Sequence, residues 1–255
     1  MYKTRSREDW EKDLQLPAWY TVDAMICYWS YNIEKYTRLM VDILNEKNIP
    51  FSIEELADDF LTPIKSILIW DKRIWYTVNY WGAMLCEYLH WASLFGSKKN
   101  ILIGSCGWLS PEARGCDIII PTYTYGDEST TRMYNRSDDK RQYSEKNLSD
   151  NLAQKLWNTH TIHRQSMTTC SAMLGETRED IQGRSSEGYY GVEMESATIF
   201  AVSNHFHIPS AAMIYIWDNL IQKEIVWDAT HKQRHERTQT LIHELLWIAI
   251  DEVIS

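Results

Sequence analysis

Apolar residues recur at helical spacing in several stretches of the chain. Ile33, Tyr36, Met40, Ile43 and Leu44, with Leu39 widening the stripe, predict an amphipathic helix over about 33 to 46. Met84, Leu85, Tyr88, Leu89, Ala92 and Phe95 predict a second helix, with Gly96 as its C-terminal cap. Leu241, Leu245, Ile248, Ala249 and Val253 fit a long C-terminal helix from about Thr230 to Val253. Helices are also expected over Asp150 to Trp157 and Glu195 to Asn204. β-Branched and aromatic runs fall between them. Ser66 to Trp70 and Ile74 to Val78 flank the polar Asp71-Lys72-Arg73, which predicts a hairpin. Asn100 to Ile103, Asp117 to Pro121, Met167 to Ala172 and Ala211 to Ile216 read as short buried strands. Strands alternating with helices predict an α/β protein whose sheet is covered on both sides, and the early hairpin makes that sheet mixed.

No repeat and no Gly/Ser/Pro linker divides the 255 residues, so one domain over 1–255 is expected. Low complexity is absent, which confines any expected disorder to the first dozen residues. The net charge of −9, without a long Lys/Arg block, argues against nucleic acid as partner. No stretch approaches the ~18 apolar residues of a spanning helix, which argues against a membrane partner. The polar start Met1-Tyr2-Lys3-Thr4-Arg5 does not read as a signal peptide. Five cysteines without a CxxC pair fit a cytoplasmic protein with free thiols. The 12 tryptophans and 15 tyrosines exceed what recognition alone would use; most are expected in the core and some at a subunit contact.

Three segments carry candidate chemistry. Ile103-Gly104-Ser105-Cys106-Gly107 reads as a strand ending in a small-residue turn, whose N–H groups and hydroxyl suit an anion or a polarised water; it also fits a plain tight turn. In Gly191-Val192-Glu193-Met194-Glu195-Ser196-Ala197, two carboxylates precede a helix. A carboxylate can accept from both hydroxyls of a vicinal diol, but acidic residues are also favoured at any helix start. In Ile214-Tyr215-Ile216-Trp217-Asp218-Asn219, an acid ends an apolar strand. That is where α/β proteins bind ligands, and equally where an Asp caps the next segment. His231 and His235, four apart, and the pair His160 and His163 lack further ligands, so neither a metal nor a cofactor is expected.

Taken together, these segments resemble the nucleoside phosphorylase superfamily. The branch concerned holds bacterial-type purine nucleoside phosphorylases, uridine phosphorylases and methylthioadenosine/S-adenosylhomocysteine nucleosidases. Residues 103–107 with Asp117-Ile118-Ile119-Ile120-Pro121 are similar to the family's GSCG…GDVVIP region. Residues 192–197 match its VEMES signature, Trp217-Asp218-Asn219 stands in place of its Ser-Asp-His triplet, and Glu236-Arg237-Thr238-Gln239 resembles the start of its last helix. The resemblance spans about residues 65 to 255. It implies a three-layer α/β/α sandwich with a central mixed sheet, assembled as a homo-oligomer, that cleaves the bond between C1′ of a purine nucleoside and its base. It assigns the ribose hydroxyls to Glu195, with Met194 under the sugar and Glu193 beside them. It places the base against Trp217, Asp218 and Cys170, with Asp218 as the acid at purine N7. It gives the phosphate or attacking water to Ser105 and Gly104. Negative charge building on the base and positive charge on the sugar are both met by such a site.

The departures from the family bear on the nucleophile. Leu102 stands where phosphorolytic members carry an arginine. Residues 24–31, in the position of the family's GDP-x-R phosphate loop, keep neither its glycine nor its arginine. A phosphate dianion without arginine or lysine is poorly neutralised, so water is slightly favoured over phosphate. Arg132, Arg136, Arg164 or an arginine of a neighbouring subunit are candidates for a replacement charge. The nucleosidases' N-terminal glutamate has no evident counterpart. Other chemistry at the same ribosyl site, or a non-catalytic nucleoside-binding or storage protein on this fold, are the competing readings. The retained Glu195 and Asp218 favour the enzyme.

Overall fold

A computed structural model describes residues 2–223 and 235–255. Residues 2–12, the stretch to which any expected disorder is confined, are folded. Helix α1 (Arg7–Asp13) is closed by a capping box in which Ser6 and Asp9 serve each other's backbone N–H. Helix α2 (Ile33–Glu46) buries Tyr36, Met40, Ile43 and Leu44, the predicted stripe. Helix α3 (Gly82–Leu94) starts two residues before the predicted stripe, and Gly96 follows it at φ 104°, a left-handed conformation suited to glycine. Helix α4 (Ser129–Tyr134) precedes α5 (Lys146–Leu156). The latter begins ahead of its predicted bound because the Glu145 carboxylate accepts from the N–H groups of Asn147 and Leu148. Helices α6 (Arg178–Ser186), α7 (Ser196–His205) and α8 (His235–Ile254) complete the set among the described residues.

The strands are β1 (Ala24–Trp29), β2 (Phe51–Glu54), β3 (Ile64–Ile69), β4 (Lys72–Asn79), β5 (Asn100–Trp108), β6 (Ile118–Ile119), β7 (Tyr123–Tyr125), β8 (Arg141–Tyr143), β9 (Ile162–His163), β10 (Met167–Thr169), β11 (Gly191–Glu193) and β12 (Ser210–Asn219). They form one mixed sheet in the order β2-β3-β4-β1-β5-β11-β10-β7-β8, with β12 on the other edge of β5 and leading on to β6 and β9. The predicted hairpin is β3–β4. Ile69 pairs with Lys72, so the turn is Trp70-Asp71 and not Asp71-Lys72-Arg73, with Trp70 at φ 54°.

Alternation along the strands sorts the core into two layers. Ile26, Tyr28, Ile101, Ile103, Met213 and Tyr215 pack with α2, α5 and α8 on one face. Met25, Cys27, Leu102, Ala212 and Ile214 pack with α3 and α7 on the other. The protein is therefore the expected three-layer α/β/α sandwich with a central mixed sheet. Glu252, near the end of α8, clamps the layers: it is 5 % exposed and accepts from Lys155 of α5 at 2.7 Å and Lys99, just before β5, at 3.4 Å. Among the described residues, no helix is long and apolar enough to cross a membrane.

One expectation fails here. Residues 104–107 are not a turn but the second half of β5, paired in parallel with β12 from Gly104↔Ile214 to Gly107↔Asp218. Their backbone groups face a neighbouring strand, so a nest of consecutive N–H groups for an anion does not exist at Gly104 and Ser105.

Candidate active site

Strands β1, β4, β5 and β12 run parallel to their neighbours in this set, so their C-terminal ends meet on one side of the sheet, where ligands bind in α/β folds. Two of the predicted groups are brought there by β12. Between Ile216 and Asp218 its register against β5 slips by one residue, with Trp217 as the extra residue of a bulge. Without the bulge Trp217 would face Gly107. With it Asp218 does, and since Ser105 and Gly107 share a face of β5, Asp218 and Ser105 share it too. The approach is close: a Cβ added at Gly107 would lie 3.2 Å from Asp218 Oδ1 and 2.5 Å from Leu220 Cδ1. Ser105 bonds the hydroxyl of the buried Tyr215. Gly104 is held by packing, because a Cβ there would meet Ile214 at 3.3 Å and Trp29 at 3.6 Å.

The two glutamates part company. Glu193 is 5 % exposed and accepts from four donors: the Thr169 hydroxyl at 2.5 Å, the N–H groups of Glu195 and Ser196 at 2.7 and 2.6 Å, and the Ser196 hydroxyl at 2.7 Å. It is the acceptor for the start of α7 and orients the residues after it. Glu195, 2 % exposed, takes one backbone N–H with its Oε1, that of Trp81 at 2.9 Å. Burial, and then the neighbouring Glu193, push its carboxyl well above the usual carboxylate range. Burial raises Glu193 as well, but its donors pull it back. Of the coupled pair, Glu195 is the one pushed further up, because it has fewer donors than Glu193.

Met194 and Cys170 belong to a small apolar cluster with Leu109 and Val192, flanked by Tyr80, Tyr189, Ile181 and Leu220. Cys106 lies within electrostatic reach of both Asp218 and Glu193. The cluster that holds Cys170 and Met194, the sequence neighbour of Glu195, is packed by Leu220, two residues beyond Asp218. Burial disfavours the thiolate at both nearby cysteines, driving Cys106 well above its ordinary value and Cys170 up to about 12. All five cysteines are free, as expected.

Sequence reasoning missed the aromatic wall. Trp29 packs against Tyr80, Tyr31 and Trp217 at ring distances of 5.5, 6.0 and 6.4 Å, and Tyr80 against Tyr31 and Trp81 at 4.0 and 4.8 Å. Trp217 also meets Tyr215 at 5.7 Å, so it joins the wall. The signal was present in the runs Tyr28-Trp29-Ser30-Tyr31 and Tyr80-Trp81, both at strand ends.

A model of the phosphorylase superfamily matches residues 83–250, most of the chain. The chain belongs to the phosphorylase superfamily. As a member of that superfamily it shares the general chemistry of nucleoside phosphorylases and nucleosidases, cleavage of an N-glycosidic bond. It is 21 % identical over 227 residues to a DeoD-type purine nucleoside phosphorylase of Actinobacillus succinogenes, covering 84 % of this chain and 92 % of that one. It is 23 % identical over 165 residues to a DeoD-type purine nucleoside phosphorylase of Shewanella amazonensis, covering 63 % of this chain and 66 % of that one. Its fold is similar to Helicobacter pylori MTAN, with a TM-score of 0.69, 15 % identity and coverage of 90 % and 100 %. It is also similar to uridine phosphorylase of Vibrio fischeri, with a TM-score of 0.68, 15 % identity and coverage of 91 % and 89 %.

Within this superfamily chain, two of the candidate replacement arginines are committed to other partners. Arg132 donates to the carbonyls of Asn135 and Ser137 and Arg164 pairs with Asp150 at 3.0 Å, while Arg136 lies near the like-charged Lys3. Arg184 acts on Cys170 but is paired with Glu176. Leu102 is sealed in the core at 1 % exposure. His160 and His163 have carboxylate partners, Glu244 at 2.8 Å and Asp117 at 3.1 Å, and His231 lies outside the described residues. Among the described residues no group of three or more His, Cys, Asp or Glu gathers as a metal site would.

Proposed function

We propose that this protein is a purine nucleosidase: it cleaves the N-glycosidic bond of a purine nucleoside with water as nucleophile. One observation carries the choice of water. Trp29 occupies the C-terminal end of β1 against Gly104, where the family resemblance calls for a glycine-and-arginine phosphate loop, and the aromatic wall built on it contains no cation among the described residues. Aromatic faces and a buried Leu102 offer a phosphate dianion nothing to replace its hydration. A neutral water makes no such demand.

In this reading Glu195 holds the ribose 2′- and 3′-hydroxyls, and Met194 lies under the sugar. Asp218 gives a proton or hydrogen bond to purine N7 as the base leaves, with Cys170 and Trp217 bordering the base. Ser105 helps hold the water. Glu193 acts through its bonds to Glu195, Ser196 and Thr169. The protein works as a homo-oligomer, with part of the exposed aromatic surface at the subunit contact.

The test is a panel of purine and pyrimidine nucleosides incubated with and without phosphate, with free base, ribose and ribose-1-phosphate measured. Base and ribose released without phosphate are expected. Release that requires phosphate and yields ribose-1-phosphate overturns the choice of water. No release from any nucleoside overturns the enzyme reading.

A further inference from the structure

Asn79, the last residue of β4, is 2 % exposed, and neither its Nδ2 nor its Oδ1 has a hydrogen-bond partner among the described residues. Its backbone carbonyl is used, by the Ser30 N–H at 3.1 Å, so the side chain alone is left over. A buried amide with both halves unpaired is costly, and such groups persist where a ligand completes them.

Its place in the sheet says which ligand. Asn79 pairs with Trp29, the last residue of β1, and Trp29 packs against Gly104 in the middle of β5, so the row runs from the C-terminal ends of β4 and β1 to the centre of β5. Strand alternation puts Asn79 with Trp75 on the face covered by α3 and α7, the face from which α7 presents Glu195. The next residues close over the candidate site: Tyr80 packs on the Met194 cluster, and the Trp81 N–H holds Glu195. Trp81 sits at φ 79° and ψ 141°, a conformation that non-glycine residues avoid and that clusters at functional sites.

We infer that the Asn79 amide holds the water that attacks C1′, a role that rests on the hydrolytic reading above. An amide edge offers one donor and one acceptor, and a water molecule satisfies both. A phosphate oxygen would satisfy Nδ2 and be repelled by Oδ1. In the step itself the C1′–N bond breaks with its electron pair passing to the base, and the proton from Asp218 goes to the base. The water oxygen bonds C1′, and the proton it sheds restores Asp218 through solvent.

The test uses the full chain and the nucleoside found active in the panel, with Asn79→Leu and Asn79→Ser. Leucine removes the unpaired amide at similar volume; serine restores a small donor and acceptor. For Asn79→Leu, kcat for base release should fall about 10²-fold, the loss typical of a misplaced reactant, with KM unchanged and the melting temperature equal or higher. Added methanol should divert a larger share of product to the methyl riboside than in the wild type. Asn79→Ser should recover part of kcat. Unchanged kcat in Asn79→Leu, or a serine variant no faster than the leucine variant, overturns the inference. So does a loss confined to KM and larger for the ribonucleoside than for its 2′-deoxy analogue, which would put the amide on the sugar. A wild-type chain that releases base only with phosphate instead overturns the hydrolytic reading, before any variant is made.

Discussion

In the proposed reading Asp218 and Glu195 do opposite things with a proton, and their surroundings differ accordingly. Asp218 stands at a strand end opposite Gly107, where a leaving base can reach it. Asp218→Asn keeps the shape and removes the acid, so base release should fall ~10²–10⁴-fold, read as kcat on the active nucleoside. Glu195 is buried beside Glu193, and its carboxyl is raised by both. A raised carboxyl holds its proton to higher pH in the empty site than an ordinary one, and a ribose diol, which donates, binds best to the ionised form. Nucleoside affinity should therefore rise with pH through the range above ordinary carboxylate titration, and Glu195→Gln should lose that slope. The same variant should weaken a ribonucleoside more than its 2′-deoxy analogue, which never made one of the two bonds; equal losses would make Glu195 structural. Linkage adds a stability signature. With its folded pKa above the unfolded value, Glu195 favours the fold at low pH, and that contribution is lost as pH rises toward the folded pKa. Glu195→Gln should flatten this decline in a melting series. These two candidates could be named from the sequence because a short family-like signature surrounds each. Asn79 could not, because nothing local distinguishes a strand-end asparagine whose amide is bonded from one whose amide is not.

At the level of elements, the bulge in β12 does what no side chain could do alone. It spends one residue, Trp217, to turn Asp218 onto the face of Ser105. Gly107 then provides the clearance. Gly107→Ala would bring a Cβ to 2.5 Å from the flexible end of Leu220 and 3.2 Å from Asp218 Oδ1. Leu220 can swing away cheaply, whereas Asp218 can only move out of place. Activity should fall at least about tenfold, with a melting temperature close to that of the wild type. A loss of stability matching the loss of activity would place the effect in packing. The strongly periodic helices α2 and α3 and the β3–β4 hairpin were readable from the chain. The turn expected at residues 104–107 was not a turn, because small residues serve a crowded central strand as well as a loop, and only tertiary pairing decides between them. Strands β7, β8, β9 and β11 have two or three residues each, too few to show an alternation. Helix α6 buries none of its residues, so it has no apolar stripe to read.

For the molecule as a whole, stability and chemistry sit at opposite ends of the sheet. The parallel strands present the candidate site at their C-terminal ends. Lys99, which joins α8 and α5 through Glu252, stands immediately before the N-terminal end of β5. Glu252→Gln should lower stability by about 1–3 kcal/mol, as expected for a nearly buried carboxylate that loses charged partners, while leaving kcat and KM for the nucleoside unchanged. A fall in kcat at full folding would show that the two ends communicate. The aromatic wall also gives the molecule an optical property. Of its 12 tryptophans, Trp29, Trp81 and Trp217 stand together beside the region that would receive a purine. A purine ring arriving there would quench their ultraviolet emission, while the remaining tryptophans supply a constant background. Occupancy could then be followed by light alone, without waiting for any bond to break, and a ligand that is held but never cut would be as visible as a substrate.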